Sequence, residues 1–152
     1  MAVAIDSWNQ LEERLRRIGL ELPASVASHK LYFSLLAKWN RSINLTSLPL
    51  YPPSDEAIDR LLVEPIAASR LAGSPNRIID LGSGGGSPAI PFWLELAPWG
   101  PVELVMVESR SKKCAFLREA VRYKGQAKVI EERFEDLLQT NPDLRGSADI
   151  VT

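Results

Sequence analysis

Apolar residues recur at three- and four-residue spacing through the first part of the chain. Trp8, Leu11, Leu15 and Ile18 fall on one stripe of a helix. Ser7 and Gln10 have the spacing of a capping box at its start, and Gly19 closes it. Arg14, Arg16 and Arg17 lie off the stripe and read as a solvated face, with phosphate contact as the alternative. A second helix is predicted from about Ala24 to Arg41, with Leu31, Leu35 and Trp39 on one side. Tyr32 and Leu36 widen its stripe, which suits packing on two neighbours. Pro49, Pro52 and Pro53 then interrupt the chain, and Ser54 caps a third helix carrying Ile58, Leu61, Leu62 and Ile66. Pro65 is expected to kink or end that helix near Glu64.

After Ala72-Gly73-Ser74-Pro75 the texture changes to strands alternating with helices. Arg77–Leu81 reads as a buried strand entering a glycine-rich turn, and Val102–Val107 as a second strand ending at Glu108. Ser111 starts a helix with Phe116, Leu117, Ala120 and Val121 inward and Gly125 at its end. Ala127–Ile130 and Ala148–Val151 are the third and fourth strands. Strands joined by crossover helices require a parallel sheet. The fold class expected is therefore α/β, a Rossmann-like parallel sheet preceded by a helical section. Residues 1–75 form the helical part and 76–152 the α/β part, packed as one domain.

Composition narrows the field. The chain has 152 residues, 45% hydrophobic and 24% charged, the balance of one globular domain. No run approaches the roughly 18 apolar residues of a membrane span, and Asp6, Gln10, Glu12 and Glu13 interrupt any secretion signal. The single cysteine, Cys114, cannot form an internal disulfide and reads as a helix-face residue, so a cytoplasmic location is expected. A net charge of −1 is not that of a typical nucleic-acid binder, although a neutral chain can carry a local basic patch. His29, the only histidine, is expected on the surface of the helical section. One histidine supports neither a catalytic triad nor a multi-histidine metal centre.

The informative run is Asp80-Leu81-Gly82-Ser83-Gly84-Gly85-Gly86-Ser87-Pro88. Glycines directly after a buried strand let the backbone turn tightly and approach a ligand, at the end of a parallel sheet where ligands bind. Two ligand classes compete. Gly82 and Gly84 fit a dinucleotide fingerprint, but Ser87 stands at its third glycine, and no lysine follows as in a P-loop. Glu108, ending the next strand, would take ribose hydroxyls in either class. Asp80 favours S-adenosylmethionine: a carboxylate beside the loop suits its sulfonium and ammonium and would repel a pyrophosphate.

These residues resemble the glucose-inhibited division protein B family, whose members methylate N7 of a guanine in small-subunit 16S ribosomal RNA. Asp80–Pro91 is similar to the family's glycine loop, including its two closing prolines, with Ala89 replacing a glycine. Val107–Lys113 resembles the family's second motif, with Glu108 where Asp is usual. Phe116-Leu117-Arg118 and Glu132-Arg133-Phe134-Glu135 follow at the family's places, and Lys38-Trp39-Asn40-Arg41-Ser42-Ile43-Asn44-Leu45-Thr46 matches its upstream signature. Two departures stand out. Arg60-Leu61-Leu62-Val63-Glu64-Pro65 lacks the family's histidine and serine in the third helix. Family members also continue beyond Thr152 with an arginine and further strands, so the chain reads as truncated within its catalytic domain and the 152-residue form as inactive.

The resemblance implies an S-adenosylmethionine-dependent methyltransferase acting on 16S ribosomal RNA or the small ribosomal subunit, with no membrane and no metal. It places Gly82 and Ser87 at the methionine side and Phe134 and Glu135 at the adenosine side, joining Asp80, Gly84 and Glu108. Arg133 is the candidate for RNA contact. Bland alternatives stay open: Phe134 as core, and Arg133 with Glu135 as a surface ion pair. A small-molecule methyltransferase of the same fold, a non-catalytic cofactor-binding fragment and a nicotinamide-dependent enzyme are the competing functions.

Overall fold

The structure, a computed structural model, describes residues 5–23, 25–122 and 124–152, with side chains from Trp8 onward. Helix α1 (Ile5–Arg17) turns Leu11 and Leu15 fully inward. It already includes Ser7, so Ser7 is no N-cap, and its side chain lies outside the described residues. Ile18 follows the helix and is exposed. Arg14 is not on a solvated face: it pairs with Asp59 and, at 3.1 Å, with Asp55. Those carboxylates hold its proton more firmly than usual.

Helix α2 (Val26–Asn40) begins after Ala24, which lies outside the described residues. Its buried stripe is His29, Tyr32, Phe33 and Leu36, while Leu31 is exposed. Both sides of this stripe are apolar enough that spacing alone did not reveal its rotation. His29 is therefore buried, not on the surface: its Nε2 faces Glu95 Oε1 at 3.4 Å, and its Nδ1 lies 3.1 Å from the Ser25 carbonyl.

Ser54 caps α3 (Asp55–Ile58), its hydroxyl accepting from the Ala57 N–H at 3.1 Å. The helix then widens into a π segment, Asp59–Val63, and continues as α4 (Glu64–Ser69). Pro65 thus does not end the helix, whose hydrogen-bond register changes just before it, between Val63 and Glu64. The π turn accommodates the ring and missing N–H by shifting the hydrogen-bond register. In an α-helix, residue 65 would donate to the Leu61 carbonyl; here the hydroxyl of Ser87 donates to it at 3.2 Å.

Strands β1 (Arg77–Leu81), β2 (Glu103–Glu108), β3 (Ala127–Glu131) and β4 (Ile150–Val151) form one parallel sheet in the order β3-β2-β1-β4. Helix α5 (Ala89–Leu96) leaves the glycine loop with all its residues buried, and α6 (Ser111–Ala120) joins β2 to β3. Strand alternation sends side chains to two faces. Ile78, Leu104 and Met106 join the larger core with residues of α1, α2, α4, α5 and α6. Ile79, Val105 and Val107 face a smaller cluster with Leu137 of α7 (Leu137–Thr140) and Leu144. Cys114, expected on a helix face, is fully buried, its Sγ 3.1 Å from the Glu108 carbonyl.

Candidate functional site

The carboxyl ends of β1 and β2 carry the site. The glycine loop closes on itself and on β2: the N–H groups of Gly82 and Ser83 both donate to the Val107 carbonyl at 2.8 and 3.0 Å, and that of Gly86 to the Ser83 carbonyl at 2.7 Å. Gly84 and Gly86 have φ of +53° and +83°, which side chains adopt only with strain. At Gly86 space is also limiting, since a Cβ would stand 2.5 Å from Ile90 Cδ1.

The helical section braces this loop. Tyr32, buried in α2, donates its hydroxyl to the Gly85 carbonyl at 2.7 Å. Burial chiefly, with the nearby Asp80 charge, raises the phenol pKa far above its usual range and keeps it a neutral donor. The Asn40 carboxamide accepts from the N–H groups of Leu45 and Thr46 at 2.8 and 2.9 Å and donates to the Thr46 carbonyl at 3.1 Å. Leu45, held in this way, packs on Gly85, where an added Cβ would meet its carbonyl at 3.2 Å. The motif containing Asn40 and Leu45 was legible in the sequence. Tyr32 was visible only as part of an apolar stripe.

Glu108 ends β2 with both carboxylate oxygens engaged. Oε2 accepts from the Gly84 N–H at 3.0 Å and Oε1 from the Arg110 N–H at 2.9 Å. Asp80 lies deeper, 4% exposed. Its Oδ1 accepts from the Thr152 hydroxyl at 2.8 Å, while Oδ2, equally buried, has no hydrogen-bond partner among the described residues. Burial is the largest influence on this carboxyl and raises its pKa, helped by the Glu108 charge and opposed by the hydroxyls of Ser83 and Thr152.

Beside the loop opens a hollow of about 520 Å³, lined by Gly82, Glu108, Arg133, Phe134 and Glu135. Ser109 and Glu132, which belong to the two motifs but were not among the candidate site residues, line it as well. Phe134 is 56% exposed, so its ring is a wall of the hollow and not core. Arg133 and Glu135 form an exposed ion pair at 3.5 Å. Glu135 is held below the usual carboxylate range by its own backbone N–H first and by Arg133 second. Ser87 stands apart from these residues. Its hydroxyl is turned to the Leu61 carbonyl, and with Thr46, Ser47, Arg60 and Glu64 it lines a second hollow, of about 430 Å³.

Chemically, the site offers a buried carboxylate with one free oxygen, a second carboxylate at a strand end, an exposed aromatic ring and a glycine backbone open to close approach. No helix among the described residues is long and apolar enough to cross a membrane.

Comparison with known proteins identifies the family and the fold. Residues 25–152 match the family model GidB, described as rRNA small subunit methyltransferase G. The ribosomal RNA small subunit methyltransferase G of Xanthomonas axonopodis pv. citri (strain 306) is 36% identical over 142 residues, covering 91% of this chain and 62% of that protein. Its counterpart from Stenotrophomonas maltophilia (strain K279a) is 39% identical over 132 residues, covering 84% and 57%. The chain thus spans about three fifths of the length of these curated relatives. Among solved structures, the SAH-bound Podospora anserina methyltransferase PaMTH1 superposes with a TM-score of 0.55 at 18% identity, over 90% of this chain and 53% of that one. The fold is the Rossmann-like methyltransferase fold.

Proposed function

The chain belongs to the GidB family of rRNA small subunit methyltransferase G, and on that premise we propose that it is the cofactor-binding part of an S-adenosylmethionine-dependent methyltransferase acting on N7 of a guanine in 16S ribosomal RNA. The helical section 1–75 and the sheet portion 76–152 work in this reading as one unit, since α2 shapes the loop that the sheet presents. The observation that carries it is Asp80 Oδ2, a buried carboxylate oxygen without a hydrogen-bond partner among the described residues, beneath a glycine loop.

A buried anion is costly unless something positive or hydrogen-bond-donating meets it. An ammonium or sulfonium does so; a pyrophosphate makes the cost worse. Asp80 therefore selects a cationic ligand, and the residues present fit S-adenosylmethionine. Gly82 and Gly84 leave room for its backbone approach. Glu108 keeps lone pairs for ribose hydroxyls beyond those given to Gly84 and Arg110. Phe134 offers a ring face to the purine, with Glu135 at the same rim. Ser87 contributes through the loop's shape, by tying Pro88 and the start of α5 to the third helix.

When bound, the cofactor supplies an electrophilic methyl group. Guanine N7 has a free lone pair at neutral pH, so the protein's task is alignment and control of the local field, with no proton to remove. This agrees with His29 being turned to Glu95 and Ser25. The reading puts the protein in the cytoplasm with ribosomal subunits as partners.

Thermal melting tests the cofactor assignment. S-adenosylhomocysteine at 100 times its dissociation constant should stabilise the protein by about 2.7 kcal/mol, and NAD should do nothing. An equal shift with NAD would overturn the assignment. Methyl transfer from labelled cofactor to small ribosomal subunits, and not to small-molecule acceptors, then separates the RNA enzyme from a small-molecule methyltransferase of the same fold.

A further inference from the structure

Most of the 18 lysines and arginines are neutralised locally. Arg14 pairs with Asp55 and Asp59, Arg70 with Glu95, Arg77 and Lys128 with Glu103, and Arg118 with Glu131. Arg16, Arg17, Arg60, Arg122 and Arg133 pair with carboxylates close by in sequence. Lys30 lies over the Trp8 ring and Lys124 donates to Ser28. Among the described residues, the cations with no carboxylate, hydroxyl or ring partner are Lys38, Arg41, Arg110, Lys112, Lys113 and Arg145.

All of these but Arg145 gather at one place. Helices α2 and α6 run antiparallel: Lys124, just past α6, reaches Ser28 in the first turn of α2, whereas Trp39 in its last turn meets Phe116 edge-on with ring centroids 5.9 Å apart. The end of α2, with Lys38 and Arg41, therefore lies alongside the start of α6, with Arg110, Lys112 and Lys113. Four of the five are exposed and Lys113 is half-buried. Both segments are rooted at the glycine loop, one through Leu45 on Gly85 and the other through Glu108, which accepts from Gly84 and Arg110.

Among the described residues of this chain of net charge −1, the cations left without a carboxylate, hydroxyl or ring partner thus border the candidate site, Arg145 excepted. Unpaired cations beside a cleft raise the local concentration of polyanions, and an RNA backbone is bound chiefly through its phosphates. We propose that Lys38, Arg41, Arg110, Lys112 and Lys113 form the track on which the phosphate backbone of the RNA substrate lies, with the acceptor base over the glycine loop. This rests on the RNA methyltransferase reading. It moves the RNA contact away from Arg133, whose charge Glu135 already meets.

The test is binding of a small-subunit rRNA transcript to the 152-residue chain between 50 and 200 mM KCl. The variants are Lys112→Glu with Lys113→Glu, Lys38→Glu with Arg41→Glu, and, as control, Arg16→Glu with Arg17→Glu on α1. Each phosphate contact contributes roughly 0.7–0.9 to the slope of log affinity against log salt. Each track double variant should therefore bind at least about tenfold more weakly, with a slope shallower by about 1.4–1.8. The control should bind as wild type, and S-adenosylhomocysteine affinity should be equal in all, which also reports folding. Track variants that bind the transcript like wild type, or a control that loses as much as they do, would overturn the track while leaving the RNA reading intact. A wild-type chain that binds anionic vesicles but not the transcript would overturn the RNA reading itself, and the track with it.

Discussion

Asp80 shows how one residue sets stability against binding. Its buried carboxyl has a raised pKa in the folded chain, against about 3.9 when unfolded. The sign follows: the folded state prefers the protonated form, so Asp80 favours folding below the unfolded pKa and opposes it as pH rises through the raised folded value. Asp80→Asn should therefore raise the melting temperature at pH 7 by roughly 2–4 °C, the shift that about 1 kcal/mol produces in a domain of this size. The gain should vanish at pH 3. The same substitution should weaken S-adenosylhomocysteine binding at least about tenfold, because the free oxygen can no longer meet an ammonium. A melting curve across pH and a titration on the same variant check both halves. Unchanged affinity would place the ligand's positive group elsewhere.

At the scale of the element, the glycine loop divides into positions that fail for different reasons. Gly86 has both a positive φ and Ile90 within 2.5 Å of an added Cβ, whereas Gly84 has the positive φ alone, its nearest neighbour being 3.8 Å away. Gly84→Ala should cost about 1–2 kcal/mol of strain, and Gly86→Ala a further 1–3 kcal/mol, roughly, from overpacking against Ile90 and Leu117. Urea denaturation should separate the two, with Gly86→Ala the less stable. A reversed order would mean that the loop and the start of α5 relax together. Because the space at Gly84 is open, a larger side chain there, as in Gly84→Val, would meet the approaching ligand and not the protein.

On the scale of the whole molecule, the sheet is protected unevenly. One face is covered by the helical section, α5 and α6, and the other by the small cluster around Leu137 and Leu144. Among the described residues strand β4 pairs with β1 alone, over Ile78–Ile150 and Ile79–Val151, and Val151 is 60% exposed. An edge strand with an exposed β-branched residue is a template for pairing with another chain. Light scattering should show concentration-dependent association of the 152-residue chain, and Val151→Lys should suppress it. Monomeric behaviour at all concentrations would show that two residues are too short an edge to recruit a partner.

Much of this was readable from residue order, because it depends on local chemistry. The short apolar runs of the strands, the Ser54 cap, the glycines and the acidic strand ends Asp80 and Glu108 are set by local composition and covalent geometry. Helix α5 and the true inward face of α2 were not readable in this way. Residues buried on every side, or apolar on both, carry no periodic signal, and only their neighbours decide which way they turn. The path through Pro65 needed a π turn whose displaced carbonyl is met by Ser87, 26 residues away. The brace of Tyr32 on Gly85, the partner of His29 and the border of unpaired cations likewise depend on which elements the fold brings side by side. Residue order alone says which groups are available for the chemistry. Tertiary packing decided which carboxylate stays short of a partner and which cations stay free, because pairing is a property of distance in space.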